Sequence, residues 1–147
     1  MKKWLAELRK LNVGEVKADE PLAPYTTWKI GGPADGLIVP CDREGLAKTV
    51  GFLSKNGIPW MVLGRGSNLL VADRGYRGAV IRLGDAFDYV RYEGATVIAG
   101  GAFSLIKLSV MTAKEGLTGL EFAGGIPGTV GGAVFMNAGA HASDVSR

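Results

Sequence analysis

Apolar and polar positions change their period several times along the chain, and each change marks an element. Trp4, Leu5, Leu8 and Leu11 recur at helical spacing, which predicts a short N-terminal helix ended by Gly14. The polar stretch from there to Pro24 reads as a linker. Gly36-Leu37-Ile38-Val39-Pro40 reads as a short strand. Asp42 is placed to cap a helix whose apolar positions Leu46, Val50 and Leu53 share a face, with Asn56-Gly57 as its stop. Pro59-Trp60-Met61-Val62-Leu63 is a continuous apolar run, as expected of a strand buried on both faces. Leu69-Leu70-Val71 reads as another strand, Asp73–Gly78 as a turn, and Ala79–Leu83 as a further strand.

From Asp85 the pattern restarts. Tyr89–Tyr92 and Thr96–Ala99 predict a hairpin around Glu93-Gly94. Ser104 caps a helix carrying Leu105, Leu108 and Met111, and Gly116 ends it. These elements describe an α+β chain with a first lobe over 1–84, including the N-terminal helix, and a second over 85–147.

Composition changes this picture little. The net charge of +3 is small and its charges are scattered, which gives no case for a nucleic-acid partner. Cys41 is the only cysteine and His141 the only histidine, so an intrachain disulfide is impossible and a cysteine–histidine metal site is not expected. Cys41 itself reads as a small residue at least half-buried. The counts fit a reducing, cytoplasmic setting. The start, Met1-Lys2-Lys3-Trp4, opens like a signal peptide, but Glu7, Arg9 and Lys10 interrupt it. The uncharged stretch from Phe122 to Ser143 carries Pro127, Asn137 and many glycines, which make it a poor membrane helix.

Glycine is where chemistry is expected. The chain has 23 glycines, and the segment 124–140 is the densest. Glycine costs backbone entropy, so such a run calls for unusual backbone angles or for main chain that touches a ligand. Pro127-Gly128 forces a turn, and Thr129-Val130-Gly131-Gly132-Ala133 can begin a helix with little side-chain bulk. A bare helix start offers unpaired N–H groups and a dipole to an anion, and a flat ring could lie on it; tight packing of helix on sheet is the other reading. The shorter loop, Gly64-Arg65-Gly66-Ser67-Asn68, follows an apolar run. Its N–H groups could form a concave anion site, with Ser67 and Asn68 adding side-chain donors; a plain β-turn is the alternative. Neither loop ends in Gly-Lys-Ser/Thr, and Leu69 stands where a dinucleotide fingerprint needs its third glycine. His141 has no triad partner, and Ser67, Ser104 and Ser143 lack a nucleophile-elbow context.

Three segments in this order and spacing resemble the UDP-N-acetylenolpyruvoylglucosamine reductase family. They are Tyr25-Thr26-Thr27-Trp28-Lys29-Ile30-Gly31-Gly32, Gly64-Arg65-Gly66-Ser67-Asn68-Leu69-Leu70, and Gly119–Ala133 with its Met136-Asn137-Ala138-Gly139-Ala140 tail. The resemblance covers nearly the whole chain from Pro21 onward. It implies the two-lobed FAD-binding fold of the vanillyl-alcohol-oxidase type, with FAD extended between the lobes and the second lobe incomplete here. It further implies that Gly64, Arg65, Gly66, Ser67, Asn68 and Leu69 hold the pyrophosphate by main-chain N–H groups. Gly125, Ile126, Pro127, Gly128, Thr129, Gly132 and Ala133 would run along the flavin and ribityl chain, and Tyr25 and Thr27 would lie near the cofactor.

The family reaction passes a hydride from NADPH through FAD to the enolpyruvyl group of a nucleotide sugar, for peptidoglycan synthesis. A serine protonates the product carbon, while a glutamate and an arginine stabilise the enol-like intermediate. The motifs that carry those three residues are not matched before Arg147. The expectation is therefore a flavin-binding part, inactive alone, with no substrate domain. The alternative is a stand-alone flavin module completed by another chain.

Overall fold

A computed structural model describes residues 2–147. Contacts divide the chain into two units, residues 1–86 and 87–147.

The first unit is built on a four-stranded sheet flanked by two helices. The N-terminal helix α1 spans Lys3–Lys10, and Leu5 and Leu8 on its inward stripe are fully buried. The first strand, β1, covers Gly14–Pro21, where the sequence reads as a linker. Its half-buried positions, Val16, Lys17, Ala18 and Glu20, mix apolar and charged residues and do not alternate, so the strand has no period-2 signal. It pairs antiparallel with β2, Pro33–Pro40, which is buried along most of its length.

Helix α2, Arg43–Lys55, follows directly. Asp42 Oδ1 accepts from the Gly45 N–H at 2.7 Å, and Gly57, at a φ of 62°, turns the chain away. The chain then forms β3, Trp60–Leu63, and later β4, Tyr76–Arg82, to give the order β1-β2-β4-β3. Both β2 and β3 run parallel to β4. Because β3 is an edge strand, Val62 is 54% exposed, and the apolar run does not mark burial on both faces. Leu69–Val71 is not a strand but an irregular segment whose Leu70 points outward.

Strand alternation gives this sheet two apolar faces. One holds Leu8, Val13, Ile38, Leu53, Ala79 and Ile81 under the helices. The other holds Leu22, Ala34, Leu37, Leu63, Val71 and Val80 under a loop layer rather than a helix. Asp35 enters the sheet buried and is neutralised by Arg77, 2.8 Å away. The loop-covered face is the one that builds the candidate site.

In the second unit, β5 (Val90–Glu93) and β6 (Thr96–Ala99) form the expected hairpin, with Gly94 at a φ of 62°. Helix α3, Leu105–Lys114, is capped by Ser104, and α4, Val130–Met136, by Thr129. A 3₁₀ turn over Glu121–Gly125 lies between them. Leu105, Phe122, Ala123 and Ala133 form the core of this unit. A small hairpin of β7 (Gly139–Ala140) and β8 (Ser143–Asp144) follows, turning through His141 and Ala142, both at positive φ. His141 is thus an exposed turn residue.

Candidate cofactor site

In the first unit, the site begins where β3 ends. Leu63 is paired with Arg82 across the parallel β3–β4 register, so the turn at Gly64 starts beside the last residue of β4. Gly66 has a φ of 66°, and a Cβ there would lie 2.2 Å from the Tyr25 carbonyl oxygen. No side chain fits. That close approach lets the Thr27 N–H donate to the Gly66 carbonyl at 3.1 Å, which locks two of the sequence-predicted segments together.

The Tyr25–Gly32 loop is held from within. Thr26 is buried, and its hydroxyl bridges the carbonyls of Ala23 and Ile30 at 3.2 and 3.0 Å. The paired glycines of this segment serve the loop and not a ligand. A Cβ on Gly32 would sit 1.9 Å from the Asp73 carbonyl oxygen, and one on Gly31 would sit 2.8 Å from the Val71 side chain.

Tyr25, Thr27, Lys29, Gly64, Arg65 and Arg82 line a cleft of about 350 Å³. The Tyr25 hydroxyl donates to Glu20 Oε1 at 2.6 Å, and the Arg82 guanidinium lies over the Tyr25 ring, 5.4 Å from its centroid. The hydrogen bond to Glu20, followed by burial, raises the Tyr25 pKa above the ordinary phenol value. Tyr25 is therefore held in its neutral, protonated form as a wall of the cleft. Among the described residues, none of the cap or loop hydrogen bonds uses the backbone N–H of Arg65, Gly66 or Asn68. Three cationic side chains and no carboxylate in the lining, next to a turn with uncommitted N–H groups, make an anion site. These residues fit a diphosphate. Leu69 packs its side chain into the core beneath, so only its main chain faces this region.

The second glycine segment behaves differently. At the start of α4 the Val130 N–H donates to the Phe103 carbonyl at 2.9 Å and the Gly131 N–H to the Gly101 carbonyl at 3.0 Å. The Gly132 N–H donates to Thr129 Oγ1 at 3.2 Å. The helix start that the sequence offers as a bare anion site has its donors already used. Gly131 is there for packing, since a Cβ would meet the Gly101 oxygen at 2.9 Å. Thr129 and Ala133 are buried, and Ile126 packs on the same core. Gly128 takes a φ of 119°. Gly125 has open space where its Cβ would be, with an exposed backbone that a flat ring could approach.

Two features escaped the sequence reading. Arg82 reaches the cleft only through strand register. Val134, Phe135 and Met136 form an exposed apolar row, with Phe135 87% exposed. Cys41 is exposed rather than half-buried, with its thiol 3.9 Å from the Asn12 carbonyl. Among the described residues no helix is long and apolar enough to cross a membrane, and no cluster of His, Cys, Asp and Glu could hold a metal ion.

A family described as FAD binding domain matches residues 34–146. The chain is 57% identical over 147 residues to UDP-N-acetylenolpyruvoylglucosamine reductase 1 of Bacillus thuringiensis subsp. konkukian, covering 49% of that protein. It is 52% identical over 147 residues to UDP-N-acetylenolpyruvoylglucosamine reductase of Bacillus subtilis, covering 48%. The crystal structure of UDP-N-acetylenolpyruvylglucosamine reductase from Thermus caldophilus superposes with a TM-score of 0.69 at 39% identity, over 88% of this chain and 44% of that one. The chain thus spans about half the length of the curated relatives it matches. With an α+β fold, a basic cleft and a family match across most of its length, the chain belongs to the FAD binding domain family.

Proposed function

We propose that this chain is the FAD-holding part of an NADPH-dependent reductase that converts UDP-N-acetylglucosamine enolpyruvate to UDP-N-acetylmuramate for peptidoglycan. The observation that carries the reading is a cleft lined by Lys29, Arg65 and Arg82 beside a glycine turn whose Arg65, Gly66 and Asn68 N–H groups take no part in the loop hydrogen bonds. The chemistry FAD supplies when bound is hydride transfer between NADPH and the enolpyruvyl double bond.

The chain's own residues bind and orient. The Gly64–Leu69 turn takes the diphosphate, Ser67 and Asn68 add side-chain donors, and Tyr25 and Thr27 wall the cleft. Gly125, with its uncovered backbone, gives a flavin ring a surface free of side chains, and Ile126–Thr129, Gly132 and Ala133 hold that backbone in place. No segment here matches the family motifs with the proton-donating serine and the glutamate and arginine that stabilise the enol. Turnover therefore depends on residues outside these 147, and the nucleotide sugar and NADPH are ligands of the whole reductase. A cytoplasmic location follows from the same reading and fits the exposed, unpaired Cys41.

The test is to incubate the purified chain with excess FAD, remove unbound cofactor, and record the flavin spectrum and NADPH oxidation. The reading predicts retained flavin with a perturbed absorbance band and no turnover of the enolpyruvyl substrate. A chain that releases all its FAD, or one that turns over at an enzyme-like rate, contradicts it.

A further inference from the structure

The anion cleft contains three cations, and they are not equivalent. The Lys29 ammonium donates to the Pro24 carbonyl at 3.2 Å, within its own loop. Arg65 sits on the exposed turn, with no ring packed against it. Arg82 combines two constraints. Its backbone is fixed at the end of β4 opposite Leu63, and its guanidinium is laid over the Tyr25 ring. Tyr25 is itself fixed, by its hydroxyl's 2.6 Å bond to Glu20 and by packing against the core of the loop-covered sheet face. The described ion pairs engage Lys2, Lys17, Lys48, Arg77 and Arg147, but not Arg82.

An arginine held over a fixed ring, with no ion-pair partner among the described residues and a place beside open N–H groups, is suited to receive a phosphate oxygen pair. The cation–π contact with the ring uses no N–H of the guanidinium, whose donors stay available to a ligand. Pre-orientation also lowers the side-chain entropy lost on binding.

We infer that Arg82 is the charge partner of the diphosphate in this cleft and that Tyr25 is its positioning residue, a role that rests on the FAD reading above. The class of ligand recognised is a dinucleotide through its diphosphate, not through the flavin ring.

Binding constants for FAD and for riboflavin, which lacks phosphate, measured by fluorescence titration on the same chain at several salt concentrations test this. R82Q is expected to weaken FAD by roughly tenfold or more, the size of a lost charge-assisted bond, and to leave riboflavin within about twofold. It should also flatten the salt dependence of FAD binding, because one screened charge contact has gone. R82K, which keeps charge but not the planar fork, should fall between. Y25L should approach R82Q, while Y25F, which keeps the ring, should lose less. If R82Q does not fold, R82K and Y25L carry the same comparison.

Parental FAD affinity in folded R82Q or Y25L overturns the assignment while leaving the FAD reading intact. Equal weakening of FAD and riboflavin also overturns it, since the arginine would then act on the fold or the ring. A parental chain that binds riboflavin but prefers FAD no more strongly overturns both.

Discussion

Two glycine segments of this chain look alike in sequence and are used in opposite ways. The turn at Gly64–Asn68 keeps backbone donors open, whereas the run at Gly124–Gly132 consumes them: Phe103, Gly101 and Thr129 take the N–H groups of Val130, Gly131 and Gly132. Glycine at position 66 permits a positive φ and a crossing of main chains. At position 131 it permits a helix to touch a loop. The lesson is that glycine density marks close backbone approach, and only the hydrogen-bond inventory says whether a ligand or the protein itself is the partner.

The strongest way to break this contrast is G66A. A methyl group there meets the Tyr25 carbonyl at 2.2 Å on a backbone at φ 66°, so two motifs must separate. We expect a loss of about 3 kcal/mol or more in chemical denaturation, with FAD binding abolished. G131A comes next. Its contact with the Gly101 oxygen, at 2.9 Å, can be relieved by a small shift of the helix, for a loss of about 1–2 kcal/mol. T129A removes the cap of α4 and should cost about 1 kcal/mol in the same assay, with the diphosphate contribution to FAD affinity unchanged.

G125A sharpens the contrast from the other side. Nothing in the chain opposes the added methyl, so stability should hold or rise by up to about 1 kcal/mol. Riboflavin affinity, in contrast, should fall, because the methyl stands where the ring would approach. A G125A chain with parental riboflavin binding would remove Gly125 from the site.

The smallest effect concerns pH. Tyr25 donates to Glu20, and its pKa is raised above the ordinary phenol value of 10.0. A raised value means that the native state favours the protonated phenol. Its contribution to stability is fully present below the unfolded pKa and is lost as pH rises through the folded one. Denaturation midpoints measured upward from about pH 9 should therefore fall slightly more for the parent than for Y25F, whose ring has no proton to lose.

Much of the fold could be read from local signals. Asp42, Ser104 and Thr129 each sit one residue before a helix, and each accepts the N–H three residues on. The segments around Gly36–Pro40, Ala79–Leu83 and the 89–99 hairpin carry strong enough periods to be placed. The misreadings were cases where neighbours in space decide. β1 is a polar edge strand held by its pairing with β2, and Leu69–Val71 is apolar because it roofs a core, not because it joins a sheet.

The site was legible as segments and not as a geometry. Tyr25, Thr27 and the Gly64 turn could be named from their motifs, but the Thr27–Gly66 bond joins residues far apart in the chain. Arg82 carried no local signal, because its place follows from the register of two parallel strands. The occupied donors of α4 were hidden for a similar reason: their acceptors, Gly101 and Phe103, lie before α3 in the sequence.

The central claim is that the open donors at Arg65, Gly66 and Asn68 hold the diphosphate of FAD. Backbone amide resonances of the ¹⁵N-labelled chain, followed during titration with FAD and separately with inorganic pyrophosphate, test it most directly. The account predicts that the amides of Arg65, Gly66 and Asn68 shift with both ligands, while those of Val130, Gly131 and Gly132 do not respond to pyrophosphate. Saturating FAD without movement at the 65–68 turn, or pyrophosphate shifts confined to the start of α4, would contradict it.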